Sequence, residues 1–214
     1  MNNASADHIR AVVRWYESSG HRTIVERTDL KHSAVLVPVI VAGDEPALLL
    51  TRRTDRVETH KGHVAFPGGM VDDDDRDRIH TALRELEEEL GIPASAVEIC
   101  GRLDDLSTPT GFVITPVVGL LRGLPEINSN EAEVDEVFQV PLSFFADPAH
   151  GEREFRHVGS ERREIWIYKY NGRTIWGATA AVIRNLLAVL RTPLPDRQGE
   201  SGHQQRTPSG ERIP

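Results

Sequence analysis

Cysteine is nearly absent. The single thiol in 214 residues, Cys100, excludes an intrachain disulfide and any cysteine-only metal site. Long apolar runs are also missing. None approaches the ~20 residues of a membrane span, and the opening MNNASADHIRAVVRWYESSG has no apolar stretch followed by a small-residue cleavage site. A cytoplasmic protein is the expectation. There is no basic excess: 25 Lys and Arg stand against 33 Asp and Glu, a formal charge of −8. That excludes a broad nucleic-acid footprint, which needs a basic face. A small phosphorylated ligand remains open, because it needs only a local patch or a bridging cation. The chain has no internal repeat, no G-x-S-x-G nucleophile elbow, no D-x-D-x-D-G calcium loop and no His-rich zinc cluster. His60 and His63, flanking Gly62, read as loop hydrogen-bonders.

What is present is the alternation of an α+β domain. Ile9, Val12, Val13 and Tyr16 recur at helical spacing, predicting a helix over 6–18 that ends at Gly20. The runs AVLVPVIV (34–41) and ALLLTR (47–52) read as two strands joined by a turn at GDEP. Strands are also predicted over 96–103, 112–121 and 134–140, and a hairpin over 165–176 turns at Asn171-Gly172. A closing helix covers 178–190. The organisation is therefore a lead-in with a helix over 1–31, a domain over 32–191 and a tail over 192–214. The tail is rich in Pro, Gly and Gln and poor in aliphatics, as a disordered segment is. Trp166, Tyr168 and Trp176 in the hairpin read as core or edge packing, with stacking on an adenine as the rival use.

The segment HVAFPGGMVDDDDRDRIHTALRELEEELGI (63–92) crowds carboxylates that repel one another. Ile79, Leu83, Leu86 and Leu90 make an apolar stripe on a helix spanning 78–90. On the wheel Glu85, Glu88 and Glu89 fall together on the opposite, exposed side. A solvated acidic face is the plain account. A divalent cation is the alternative, because like charges at i, i+3 and i, i+4 destabilise a helix unless neutralised. The glycines of Phe66-Pro67-Gly68-Gly69 also let backbone come close to a ligand. Mg²⁺ takes oxygen ligands from a few carboxylates and substrate phosphates. For most of Asp72 to Asp75 the simple account is an acidic run at a helix start, favoured by the dipole.

Arg84-Glu85-Leu86-Glu87-Glu88-Glu89-Leu90-Gly91-Ile92 matches R-E-U-x-E-E-x-G-U (U aliphatic) at every defined position. It resembles the second half of the Nudix box, with Gly69 as the opening glycine. The resemblance implies an α/β/α sandwich around a mixed sheet and hydrolysis of nucleoside diphosphate derivatives with Mg²⁺ or Mn²⁺. Gly69, Glu85, Glu88 and Glu89 would be the metal ligands, and Glu85 and Glu88 would be catalytic. A distal carboxylate would come from Glu133, Asp135 or Glu136, with Glu133 favoured. Asp75 stands at the acidic position with Asp for Glu. Eight residues separate it from Arg84 where seven are usual, so Asp75 is the first candidate to pair with Arg84, and Asp74 or Asp77 are alternatives.

Upstream, Leu49-Leu50-Thr51-Arg52-Arg53-Thr54 followed by Gly62 and Phe66-Pro67-Gly68-Gly69 resembles the signature of coenzyme A pyrophosphatases. STPTGFVITPVVG, EVDEVFQVPL and IWGATA downstream are similar to that branch too. Thr54 replaces a serine and keeps the hydroxyl; Glu58 replaces an arginine and reverses a charge. Arg52, Arg53, Arg56 and Lys61 are the candidate phosphate-binding residues. The resemblance implies a coenzyme A-like diphosphate as the small-molecule partner, with no nucleic acid and no membrane, and leaves a homodimer open. Two other readings stand beside it: a diphosphatase for a nucleotide sugar, dinucleotide or damaged nucleotide, and a module that senses a nucleotide without cleaving it.

Overall fold

The computed structural model describes residues 5–42, 45–54, 62–158 and 161–195. The elements follow in chain order. First come α1 (Ala6–Ser18), β1 (Lys31–Ile40), β2 (Ala47–Arg53), β3 (Val64–Ala65), β4 (Gly68–Met70) and α2 (Arg78–Leu90). Then come β5 (Val97–Arg102), β6 (Leu106–Ser107), β7 (Phe112–Leu121), β8 (Val134–Pro141) and α3 (Leu142–Ala146). The chain closes with β9 (Gly151–Val158), β10 (Glu161–Tyr170), β11 (Arg173–Trp176) and α4 (Gly177–Leu190).

The main sheet runs β3-β2-β1-β7-β5, with β4 added to β1, β8 to β2 and β6 to β7. β1 and β7 are parallel over their whole length, from Lys31↔Phe112 to Ile40↔Leu121, while β1–β2 and β5–β7 are antiparallel. The sheet is therefore mixed. Its central strands are covered on both faces, which is why AVLVPVIV reads as a continuous apolar run rather than an alternation.

The two faces carry separate cores. Ala34, Leu36, Leu49 and Val117 pack against Ala82, Leu86 and Leu90 of α2. Val37, Val39, Leu48, Leu50 and Val118 pack against Ile9 and Val13 of α1 and Ile183 and Leu187 of α4. The result is the expected α/β/α sandwich. The hairpin turns at Asn171 and Gly172, both at positive φ, and β9 extends it into a three-stranded sheet. Tyr168 is buried core, whereas Trp166 lies under Arg184, 4.0 Å from its ring centre. Cys100 is buried, and burial pushes its thiol up to about 11, so it stays a protonated core side chain. No helix among the described residues is long and apolar enough to cross a membrane. Of the tail, only 192–195 belong to the described residues.

Candidate active site

The site begins with the boundaries of α2. Asp77 caps it, its side chain accepting from the His80 N–H at 2.8 Å, and Gly91 closes it in the left-handed conformation at φ 67°. The first turn contains no acidic residue. Asp72 to Asp75 is therefore not the helix-start run expected from the sequence. It forms a turn ahead of the helix, in which the Asp75 N–H donates to the Asp72 carbonyl and the Asp72 N–H to the Asp75 carboxylate. Ala82, Leu86 and Leu90 are fully buried, with Ile79 and Leu83 packed more loosely beside them.

Arg84 is the hub of the acidic segment. Its Nε and Nη2 each lie 3.1 Å from a different oxygen of Asp75. Nη2 also donates to the Met70 carbonyl at 3.0 Å, and Nη1 donates to Glu85 at 2.9 Å and Glu88 at 3.0 Å. Asp75, not Asp74 or Asp77, is thus the partner, and the extra residue before Arg84 is absorbed in the turn. The Arg84 guanidinium holds the Asp75 carboxyl well below the ordinary carboxylate range. The side chain of Asp75 is 1% exposed, and His80 Nδ1 completes its contacts at 2.8 Å.

Over this hub passes the glycine strand. β4 pairs with β1 through Ala34↔Gly69 and Val35↔Gly68. A Cβ on Gly69 would lie 2.3 Å from Glu85 Oε1, and one on Gly68 would lie 2.4 Å from the Ala34 carbonyl. Only glycine allows the strand to slip between the sheet and the helix carboxylates.

The exposed acidic face is corrected by the structure. The Glu88 side chain is 57% exposed and that of Glu85 15%, but Glu89 is buried, with 5% of its side chain exposed. At about 100° per residue, Glu89 falls roughly 20° from Ala82, on the border of the apolar stripe, and the glycine strand closes over it. Burial pushes the Glu89 carboxyl up to about 8, reinforced by the charges of Glu85 and Glu133 and opposed by Arg53 and the Gly68 backbone. Burial also raises Glu85. Arg53 Nη1 stands 3.9 Å from Glu89 Oε1, too long for a hydrogen bond. Glu133 is brought to the same cluster from the turn before β8. Its carbonyl accepts from the Thr54 N–H at 2.9 Å, and its carboxylate accepts from Asn130 Nδ2 at 3.1 Å.

The other candidates are placed elsewhere. Arg52 points to the opposite sheet face, where it meets Asp135 at 2.6 Å and Glu136 at 3.6 Å; Glu136 also pairs with Arg173. Neither acid faces the α2 cluster. Arg56, Glu58, His60 and Lys61 lie outside the described residues. Sequence reasoning missed His80 and Asn130, which hold Asp75 and Glu133. Asp just ahead of the apolar-periodic run is an N-cap signal that would have marked Asp77.

These donors are of the kind a hard divalent cation takes: carboxylates, and a glycine carbonyl that can approach closely. Among the described residues no three His, Cys, Asp or Glu side chains converge tightly enough to hold a metal as they stand. Arg84 engages Glu85 and Glu88 together, and Glu85 already lies against Gly69. On the outer flank, Arg84 and Glu88 border an open recess of roughly 570 Å³, shared with Arg76, His80 and Leu83.

Comparison with known proteins bears on the same segment. The NUDIX domain model matches residues 30–159. An uncharacterized Nudix hydrolase NudL of Yersinia enterocolitica is 45% identical over 155 residues, 72% of this chain and 79% of that protein. The NudL of Photorhabdus laumondii is 42% identical over 160 residues, 73% and 83% of the two chains. Among solved structures, a Nudix hydrolase from Alicyclobacillus acidocaldarius superposes with a TM-score of 0.50 at 20% identity. It covers 75% of this chain and 92% of that one, a likeness of fold.

Proposed function

The chain belongs to the Nudix family, whose members act on diphosphate bonds, and from that premise we propose that it hydrolyses coenzyme A or an acylated derivative. The products are 3′,5′-ADP and 4′-phosphopantetheine, or its acyl form. The observation that carries the reading is the buried Glu89, with the half-buried Glu85 and Glu133 beside it, where Glu85 packs against Gly69. Burial raises the carboxyls of Glu89 and Glu85, against the opposing charge of Arg53 and Arg84. A divalent cation arriving with the substrate diphosphate would add positive charge there.

In this reading Glu85, Glu88, Glu89 and the Gly69 carbonyl would hold Mg²⁺ or Mn²⁺, whose charge would offset that developing on the phosphate. Arg84 and Asp75 fix the helix face. Arg53, at the rim of the cluster on β2, meets the diphosphate. Glu133, tethered by Asn130, accepts the proton of the attacking water as the bridging P–O bond breaks and one phosphate departs. The choice of coenzyme A rests on the Leu49–Thr54 and Phe66–Gly69 signature, which frames Arg53 and the glycine strand.

The test is incubation with coenzyme A and Mg²⁺ or Mn²⁺, with products identified by mass. Recovery of 3′,5′-ADP and 4′-phosphopantetheine is expected. Cleavage of a nucleotide sugar or dinucleotide with coenzyme A left intact would reassign the substrate. Calorimetric binding of a nucleotide without any product would turn the protein into a sensor.

A further inference from the structure

On the opposite side of the sheet from α2 lies a second recess, of roughly 310 Å³, between α3, the start of β9, β10 and the C-terminal half of α4. Tyr168, Trp166, Gly151, Arg153, Arg184 and Arg191 line it. Three guanidinium groups share one small space in a chain whose net charge is −8. The acidic residue among its lining is Asp147, whose carboxylate accepts from the Ala149 N–H at 2.9 Å. Arg184 lies flat on Trp166 with 4.0 Å to the ring centre, and Arg153 sits 5.6 Å from the same ring. Arg153 also meets Glu164 at 3.5 Å on the exposed side.

A second, independent feature points to a ligand. Tyr168 is 1% exposed, and its hydroxyl stands beside the Arg184 guanidinium but outside full hydrogen-bond geometry. Buried hydroxyls are ordinarily satisfied. Arg184 and Arg191 lie close enough to oppose the effect of burial on its ionisation. The recess is also kept open by backbone choice: a Cβ on Gly151 would lie 2.9 Å from Trp166 and 3.3 Å from Tyr168.

We propose that this recess binds a small phosphate-bearing anion, orthophosphate or the phosphate of a monoester, held by Arg184, Arg153 and Arg191, with the Tyr168 hydroxyl as a further donor. Planar guanidinium forks suit phosphate oxygens. The site is separate from the acidic helix. Phe145 and Tyr168 belong to the core on the α1–α4 face, and α2 packs on the other. Thr179, which donates to the Val64 carbonyl beside the glycine strand, lies about 18 Å along α4 from Arg191 at ~1.5 Å per residue. Trp166, Tyr168, Arg184 and Arg191 also fall beyond the 30–159 span of the family match.

The test is calorimetric titration of the full chain with inorganic phosphate and, separately, ribose 5-phosphate. EDTA keeps divalent cations off the acidic helix, and ionic strength is matched with chloride. Saturable binding of either is expected. Arg184→Gln should weaken it ten-fold or more and Tyr168→Phe several-fold, with Arg53→Ala and metal-dependent hydrolysis by both recess variants unchanged. Tyr168→Phe keeps the ring packing, so it decides the matter if Arg184→Gln fails to fold. Unsaturable heats equal to those of chloride would overturn the proposal. So would phosphate affinity that Tyr168→Phe leaves intact and Arg53→Ala abolishes.

Discussion

Two acidic clusters flank the same sheet, one on α2 and one after β5, and they are treated in opposite ways. Asp104 and Asp105, after β5, are saturated. Asp104 accepts from the Tyr16 hydroxyl at 2.9 Å, the Thr23 N–H at 2.7 Å and Asn185 Nδ2 at 2.8 Å. Asp105 takes Arg22, the Val25 N–H at 3.0 Å and the Thr115 hydroxyl at 2.7 Å, with both ion-pair side chains 6% exposed. These bonds fasten α1, the lead-in and α4 to the sheet. Glu89, beside Glu85 and Glu133, is under-compensated: the Arg53 guanidinium stops at 3.9 Å from it, and burial pushes its carboxyl up to about 8. A buried carboxylate whose bonds are complete holds structure together. One left short of positive charge costs stability and is kept for what it binds.

The largest break in this contrast should come from charge removal on α2. Glu88→Gln and Glu89→Gln are each expected to lower turnover at least ~100-fold, the scale of losing one preorganised group at developing charge. Both should melt near the wild-type temperature. Steady-state kinetics with Mg²⁺ on variants checked by circular dichroism measure this, and full activity in either variant would sink the assignment of the helix carboxylates.

The saturated cluster should respond the other way. Asp105→Ala strands Arg22 in a buried place, and breaking such a pair by removing one partner costs about 3–5 kcal/mol. The loss is expected in denaturant midpoint, with kcat per folded molecule close to wild type. An unchanged midpoint would show that the cluster after β5 is no clamp. Leu86→Ala, a fully buried core position on α2, should cost about 2–5 kcal/mol. It sharpens the comparison by separating the helix's packing face from its chemical face.

Much of this was legible in the residues. The helices at 6–18 and 78–90 and the strands later paired as β1 and β7 follow from apolar spacing and apolar runs, which survive folding because each has a face to cover, while the parallel pairing of those strands was not predicted. The short α3 (LSFFA) and the charged β9 (GEREFRHV) were not expected. Five residues carry too little periodicity for a helix, and β9 is a strand through its pairing with β10, from Gly151↔Tyr168 onward. The resemblance offered Asp75 as the partner of Arg84 with Asp74 and Asp77 as alternatives, because the spacing is one residue too long; the burial of Glu89 was not legible, since it depends on β4 folding back over the helix. Arg52 and Arg53 were treated alike, although adjacent strand residues point to opposite faces. That rule alone separates the arginine near Glu89 from the one paired with Asp135.

The smallest effect expected, and the most direct test of an under-compensated cluster, is in pH. The Glu89 carboxyl sits at about 8 in the folded chain against an ordinary 4.5, so the folded state keeps a proton that the unfolded chain gives up. Between pH 4.5 and 8 the folded state therefore binds more protons, and linkage makes stability fall as pH rises through that window. Glu85, also raised, adds in the same direction. The metal-free protein should lose on the order of 1–2 kcal/mol from pH 5 to 8.5, less than the full shift implies, because water entering the site eases the ionised form. Glu89→Gln has no such proton and should be flatter over the same range. At pH 7 a divalent cation must displace the proton to reach the carboxylate. Its binding heat should therefore vary with the ionisation enthalpy of the buffer in the wild type, and less in Glu89→Gln. Parallel pH profiles for the two proteins, with buffer-independent heats, would mean that Glu89 is already compensated and that the two clusters do not differ in kind.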